Sequence, residues 1–521
     1  MTDPNGSKYS IGIDLGTTSI KLGVFDLSGK LLASNKCKNP IRYMGKYIEL
    51  DADECFQIAT HQLYRLLQEN NIPGNDVACI CFSCQGETLL FLDEHFRPLR
   101  PAIVWLDNRS VRESRIISSL MDQVTIFSHT GQLEVVPTFP ATKIFWCATN
   151  ERDTFKRTAK ICLLADYFVY KLVGELVTDY SLSSSTLYLD IKRLRWWDTM
   201  LSTLGITEEQ LPKLVSPGTP IATIQREWRE ALSLRNETII TAGGLDQICS
   251  AIAVGNLSVG DVSLNLGTGV GIVTTLSNDA LVHPSAIPIH CHVLSNEYAG
   301  FAWGQTCGAL LDWAEAVLEI NGVHKSLHSF SEIIRERARD TQREPLTVLP
   351  YFEGAFSPEY DPNAKGVIFG LRLYHDSLDI LDAMLDAIAF TVKANLDAVL
   401  MSIGNPPKKI PVTGGLTRNE SVIQRIADVT AIPLLIYGDE YASARGAALL
   451  GFLGTGLIRS LSEVLHSDAD QRCVFPQDPD QRRVVSRYER YKGLYEVLRN
   501  YFSRESAYQD GLIIPEERDR C

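Results

Sequence analysis

The stretch Ile11-Gly-Ile-Asp-Leu-Gly-Thr-Thr-Ser-Ile-Lys-Leu-Gly-Val-Phe-Asp26 decides how the rest of the chain is read. An apolar run ends in an acid and a tight Gly16-Thr17-Thr18-Ser19 turn, and a second apolar run follows. Two strands joined this way collect backbone N–H groups and hydroxyls into one concave bend, which binds anions and phosphates above all. Asp14 stands at its mouth, where a carboxylate is useful if a divalent cation accompanies the phosphates. An ordinary glycine hairpin gives the same pattern, so the weight comes from recurrence. Val262–Thr274 repeats it, with a Gly267-Thr268-Gly269 turn between two apolar runs. The repeat implies two related halves with a nucleotide between them, its phosphates gripped by one turn from each. No Gly-x-x-x-x-Gly-Lys-Ser/Thr string occurs, which excludes a P-loop. Nor does Gly267-Thr-Gly-Val-Gly271 have the spacing and following acid of a dinucleotide fingerprint.

At 521 residues the chain is long enough for two domains. Lys plus Arg number 50 against 63 Asp plus Glu, a net charge of −13. That balance argues against nucleic acid, which wants a basic surface, but allows a nucleotide bound by backbone donors and Mg²⁺. The twelve cysteines are scattered. Cys79, Cys81 and Cys84 sit in or beside an apolar run that reads as a buried strand, where a thiol is a small apolar filler rather than a metal ligand. A reducing cytoplasm fits. The N-terminus carries no signal-peptide pattern, and Ala442–Ile458 is too short, and too charged at Arg445, for a membrane span.

Apolar runs predict strands at Ser10–Ile13, Lys21–Phe25, Val77–Phe82, Leu89–Leu92, Thr238–Ala242, Ile410–Thr413 and Pro433–Ile436. Helical spacing predicts helices at Phe56–Gln68, Leu163–Leu172, Leu378–Met401, Ser421–Thr430 and Ser443–Leu453. Beyond about Asp468 the chain turns polar and Arg-rich with no legible chemistry, and its last dozen residues read as a poorly ordered tail.

Asp246 is the strongest candidate for chemistry. It follows a buried strand and the pair Gly243-Gly244, so its backbone can approach a substrate closely. There it could accept a proton from a hydroxyl that attacks phosphorus. Its position also suits a helix N-cap for Gln247–Val254, and the spacing supports both. Gln85-Gly86-Glu87-Thr88 and Trp105-Leu106-Asp107-Asn108-Arg109 lie at adjacent strand ends. Acids and amides bond vicinal hydroxyls and an indole covers the C–H side, which suits a polyhydroxylated ligand. Taken alone, they read more simply as a turn and a solvated Asp107–Arg109 pair. Gly414-Gly415 before a helix permits close approach of a flat ring, or only a tight turn.

These motifs resemble the FGGY carbohydrate kinases of the actin–hexokinase fold. Gly366-Val-Ile-Phe-Gly370-Leu371, Asp379-Ile380 and Ala383-Met-Leu-Asp386 match the family's C-terminal signature. The Asp14–Ser19 turn, Gly243–Gln247, Gly267–Gly269 and Gly414–Asn419 follow in the family's order, from about Lys8 to Ile458. The resemblance implies an α/β fold of two ribonuclease-H-like domains, 8–250 for the sugar and 251–470 for the nucleotide, around an ATP cleft, with a polar extension at 471–521. It implies ATP-dependent phosphorylation of a ketose, aldonate or polyol, with Asp246 as catalytic base and Asp14 holding Mg²⁺ through its waters. Thr17, Thr18 and Lys21, with Ser19 in the same turn, match positions facing the ATP phosphates. Gly267, Thr268 and Gly308 match nucleotide contacts from the second domain, and Gly414, Gly415 and Asn419 the adenine-ribose site. Gln85, Glu87, Trp105 and Gln247 fall at sugar or polyol contacts. The implied partner is a small sugar or polyol, without nucleic acid or membrane; a homodimer is compatible, though no interface is legible.

Three departures bear on the acceptor. Cys84-Gln85-Gly86 stands where xylulose kinases usually carry Met-His-Gly. Gly86 and Thr138 stand where glycerol kinases have Arg and Tyr. Ala355-Phe356 replaces a Glu-Arg pair usual in xylulose and gluconate kinases. A catalytically silent sugar sensor, a glycerol or polyol kinase and an actin- or chaperone-like ATPase are the alternatives. Intact Asp14, Asp246 and both Gly-Thr turns count against the first, and the signature with Glu87 and Trp105 counts against the last.

Overall fold

The computed structural model describes residues 8–45, 47–282, 285–294, 296–304, 307–318, 344–352, 354–465, 471–477 and 481–509. The chain forms two compact units. One comprises Met1–Asp261, Val273–Gly300 and Tyr441–Ala469, and the other Val262–Ile272, Phe301–Glu440 and Asp470–Cys521.

The first unit is built on a six-stranded sheet ordered Pro220–Thr223, Ile239–Leu245, Val77–Cys84, Tyr9–Leu15, Ser19–Asp26, Leu31–Lys38. Tyr9–Leu15 and Ser19–Asp26 pair antiparallel across the Gly16–Thr18 turn. Tyr9–Leu15, Val77–Cys84 and Ile239–Leu245 run parallel. Every residue of Val77–Cys84 is buried, as expected of a central parallel strand covered on both faces. Its cysteines therefore act as small apolar side chains, and the described cysteines are all free thiols. Helix Ala52–Glu69 is capped by Asp51, whose Oδ1 accepts the Glu54 N–H at 3.0 Å. It buries Phe56, Ala59, Leu63 and Leu66, the stripe that its spacing predicts.

Helix Ala442–Gly454 also belongs to the first unit. It meets the sheet without side chains between: a Cβ on Gly12 would lie 1.8 Å from the Ala444 carbonyl oxygen. On its other flank a Cβ on Gly446 would lie 1.9 Å from the carbonyl oxygen of Cys249, in helix Asp246–Ala253. Backbones this close exclude any side chain but hydrogen.

In the second unit Val262–Leu266 pairs parallel with Ile410–Thr413, which pairs parallel with Leu434–Ile436. Arg472–Val474 closes that edge antiparallel. Helix Ser377–Ile403 starts in a reciprocal cap: Asp376 accepts from the backbone at Asp379, and the Asp379 carboxylate accepts the Asp376 N–H at 2.8 Å. Thus one signature acid is a capping residue. Another, Asp386, is 6 % exposed and shares Arg425 and Arg487 with Asp382.

The polar reading of the C-terminal stretch needs correction within its described part. Gln481–Gln509 is a helix. Its Tyr488, Tyr491, Tyr495 and Phe502 are buried against Leu349, Tyr351, Phe390 and Ala394. The phenol groups find partners, Tyr491 on Tyr351 at 3.0 Å, Tyr495 on Asp361 at 3.1 Å and Tyr488 on Asp397 at 3.1 Å. Residues 510–521, the expected tail, lie outside the described residues. No described helix is long and apolar enough to cross a membrane.

Two glycine-to-alanine changes should have opposite signs. Gly493 lies inside the C-terminal helix with nothing within 4 Å of its would-be Cβ. Gly493→Ala should therefore stabilise the protein by up to about 1 kcal/mol through helix propensity. Gly446→Ala gains the same propensity but forces two backbones apart, and should be destabilising by about 1–3 kcal/mol. Urea unfolding of both variants checks this; equal shifts would refute the packing account.

Candidate active site

Three parallel strands of the first unit end in step, with Leu15, Cys84 and Leu245 in one register. The chain leaves them at a common edge, into Gly16–Ser19, Gln85–Thr88 and Asp246–Gln247. Carboxyl ends of parallel strands are where open α/β sheets bind ligands. One residue earlier, Asp14 faces Ser83, whose Oγ donates to its Oδ1 at 3.3 Å. Lys21, opposite Asp14 on the antiparallel strand, places Nζ 3.7 Å from Oδ2. Burial nonetheless wins, and the Asp14 pKa is raised above the ordinary carboxylate value despite Lys21 and Ser83.

Asp246 is the first residue of helix Asp246–Ala253; Leu245 occupies the N-cap position. The capping reading is thereby corrected: Asp246 Oδ1 takes the Gln247 N–H at 2.7 Å but caps no later turn. Burial, and then the charges of Asp14 and Glu87, push its pKa up to about 7. A carboxyl with its pKa at the working pH is suited to accept a proton in a transition state.

Thr17 joins the turn to Gln85 and to the segment that carries Trp105. Its hydroxyl donates to Gln85 Oε1 at 2.7 Å and accepts from Trp105 Nε1 at 2.8 Å. Gln85 is 3 % exposed, and its Nε2 has no protein partner among the described residues. Such a buried donor is costly unless something is bonded to it. Glu87 adopts φ +65°, a left-handed conformation that strains any residue with a Cβ. Burial raises its pKa against the opposing pull of Ser185 and Lys143. Thr18 is exposed and gives its carbonyl to the Asn39 N–H at 3.1 Å, and Ser19 pairs with Lys38.

The Asp107–Arg109 pair is not solvated. Asp107 is fully buried, and Arg109 grips it through Nε and Nη2 at 2.8 and 2.7 Å while also reaching Glu49 at 2.8 Å. The Arg109 guanidinium lies over the rings of Tyr47 and Trp146. This network anchors the segment that carries Trp105. Lys143, from helix Pro140–Asn150, is likewise fully buried and donates to the Thr138 and Trp105 carbonyls. Sequence reasoning passes over it because a lysine among Phe139, Ile144 and Phe145 looks like the polar face of an ordinary helix.

The second unit gathers its own glycine turns. The N–H groups of Cys307, Gly308 and Ala309 bond the carbonyls of Thr268, Gly267 and Thr268 at 3.0, 3.1 and 3.2 Å. A Cβ on Gly308 would stand 2.8 Å from the Gly267 oxygen, and one on Gly414 2.3 Å from the Leu266 oxygen. Gly414 has φ +96°; Gly415 faces open space. Gly267, Thr268, Gly308 and Gly414 therefore converge. Asn419 is engaged as the N-cap of Glu420–Thr430, its Oδ1 taking the Val422 N–H at 3.1 Å. Phe356, at the departure from the usual Glu-Arg pair, packs on Trp303 at 4.1 Å.

Among the described residues no three His, Cys, Asp or Glu side chains form a metal cluster. Mg²⁺ needs no such cage, since one or two carboxylates with phosphate oxygens and water suffice. Asp14, a buried carboxylate at the strand end, offers one such donor.

Residues 9–253 match the N-terminal domain of the FGGY family of carbohydrate kinases, and residues 262–455 its C-terminal domain. The chain is 28 % identical to xylulose kinase of Escherichia coli (strain K12) over 491 residues, 94 % of this chain and 99 % of that one. It is 24 % identical to gluconokinase of Bacillus subtilis (strain 168) over 516 residues, 97 % and 99 % of the two chains. The ligand-bound xylulose kinase from Lactobacillus acidophilus shares the fold with a TM-score of 0.86 at 24 % identity, covering 95 % and 99 %. Plasmodium falciparum glycerol kinase with ADP does so with a TM-score of 0.79 at 22 % identity, covering 94 % and 98 %. Strand-end acids, glycine turns and the matches over both halves agree: the chain belongs to the FGGY family of carbohydrate kinases, which are phosphotransferases.

Proposed function

We propose that this carbohydrate kinase moves the γ-phosphoryl group of ATP, with Mg²⁺, to a hydroxyl of a ketose, aldonate or polyol, with Asp246 as general base. The observation that carries the reading is Asp246 itself, at the common strand edge, with its pKa at about 7 beside Asp14 and Glu87. The acceptor oxygen bonds to phosphorus as the bond to the ADP oxygen breaks, and the hydroxyl proton passes to the Asp246 carboxylate. Asp14 would hold Mg²⁺, which when bound neutralises charge on the phosphate oxygens.

Gln85, Glu87, Trp105 and Gln247 surround the acceptor: carboxylate and amide take its hydroxyls, and the indole covers its C–H face. Thr17, Thr18, Ser19 and Lys21 supply donors to the phosphates, as do Gly267, Thr268 and Gly308. Gly414, Gly415 and Asn419 border the adenine and ribose. In this division 8–250 serves the sugar and 251–470 the nucleotide. The relatives named xylulose kinase and gluconokinase put ketoses and aldonates first among acceptors. Gln85, in place of the xylulose kinases' usual histidine, leaves the choice between them to experiment.

ADP release should be measured across ketoses, aldonates and polyols. One acceptor should give high turnover, and Asp246→Asn should lower it by about a hundredfold or more with ATP binding kept. Undiminished turnover in that variant would remove Asp246 as base. The proton acceptor must be ionised, so kcat/KM in the wild type should fall as pH drops through about 7. In whatever activity Asp14→Asn retains, loss of the neighbouring charge should move that limb to lower pH.

Stability should respond in the opposite sense. A carboxyl whose folded pKa is raised binds its proton more tightly in the native state, so its contribution is present at low pH and lost as pH rises towards about 7. Asp246→Asn lacks that loss. Thermal melting should find the variant gaining on wild type between pH 4 and 7; a constant gap would contradict the assignment.

A further inference from the structure

Lys143 is a charged side chain with no exposure to solvent, at the back of the acceptor constellation. Its ammonium donates to the carbonyl oxygens of Thr138 and Trp105, the latter at 3.4 Å. Trp105 in turn donates its indole N–H to Thr17, which donates to Gln85. A single buried cation thus stands behind a continuous line of contacts ending in the unmatched Gln85 amide. A lysine is a poor choice for packing alone. Removing an ammonium from water is expensive unless nearby charge repays it, and methionine would fill the same space.

We propose that Lys143 is the positioning residue of the acceptor site: through its bond to the Trp105 carbonyl it pins the main chain from which the indole reaches Thr17 and, beyond it, Gln85, and it is the charge partner of Glu87. This rests on the reading of Glu87 and Trp105 as acceptor contacts.

The charges around the pair are consistent with the proposal. Glu87 is the largest charge favouring the ammonium, followed by Asp107, with Arg109 opposing. Burial lowers the Lys143 pKa and raises that of Glu87, while each draws the other back towards its charged form. Around Glu87 the Ser185 hydroxyl and Lys143 favour ionisation, and Asp246 lies near enough to feel its charge. An ionised carboxylate accepts from two vicinal hydroxyls, whereas a protonated one presents a donor that displaces one of them. Loss of Lys143 would leave the Ser185 hydroxyl alone favouring ionisation, against burial and the charge of Asp246.

The test is acceptor kinetics of Lys143→Met across pH. We expect the acceptor KM to rise by about ten- to a hundredfold at pH 7, the scale of a charge-assisted hydrogen bond. The KM for ATP and kcat should change only a few-fold, and the acceptor KM should recover as pH is raised and Glu87 ionises. An unchanged acceptor KM overturns the proposal, as does a rise that is the same at every pH, which marks plain packing. Failure of the wild type to turn over any acceptor would instead refute the sugar-kinase reading, so the two failures are distinct. If Lys143→Met does not fold, the comparison moves to Glu87→Gln with Lys143→Met, which removes both charges. That double variant should melt above the single variant, because one buried charge without its partner is worse than none. A double variant melting no higher than the single one overturns the coupling.

Discussion

The contact on which the site depends is made of backbone. Helix Ala442–Gly454 lies directly against Gly12 on one side and, through Gly446, directly against Cys249 on the other. Gly12 is two residues before Asp14, and Cys249 three after Asp246. The same helix therefore braces the strand that carries Asp14 and the helix that begins at Asp246, with no side chains between. Rigid main chain holds a reacting geometry better than interdigitated side chains, which can change rotamer. This also accounts for a helix from late in the chain packing in the first unit.

That seating has an electrostatic consequence. Three strands ending in one register gather Asp14, Glu87 and Asp246 at one edge, and burial raises the pKa of all three. Like charges in a low-dielectric site disfavour ionisation, which works against stability at neutral pH but leaves carboxyls with pKa values raised towards neutrality. Lys21 beside Asp14 and Lys143 near Glu87 moderate the strain at two of the acids. Asp246 has no such cation among the causes that shift it, so its pKa stays near neutrality.

How much of this is legible in the sequence depends on how local each feature is. The strands flanking Gly16–Ser19, the buried Val77–Cys84 run and the Ala52–Glu69 and Ser377–Ile403 helices follow from periodicity, because each buries one stripe or a whole run. The C-terminal helix is harder. Val484, Tyr488, Tyr491, Tyr495 and Phe502 keep a helical spacing, but the charged residues between them dilute the average, and only the repeat, not the composition, shows the buried face. Asp107–Arg109 looks like a surface pair because its Glu49, Tyr47 and Trp146 partners are far off in sequence. Lys143 has no sequence sign at all, since its acceptors are main-chain carbonyls.

The sequence by itself determined the two Gly-Thr turns, the acids Asp14 and Asp246 after apolar runs, the strand and helix periods, and through its spaced signature the family. Those are properties of short segments, where a missing Cβ, an acid at a strand end or an apolar stripe carries its own physical meaning. Tertiary structure alone decided that Thr17 bonds both Gln85 and Trp105, that signature Asp386 is a buried ion-pair partner, and that Asp246 begins its helix without capping it. These depend on which distant segments meet and on how far water is excluded where they do. That exclusion is the first cause of the raised pKa at Asp14, Glu87 and Asp246 alike.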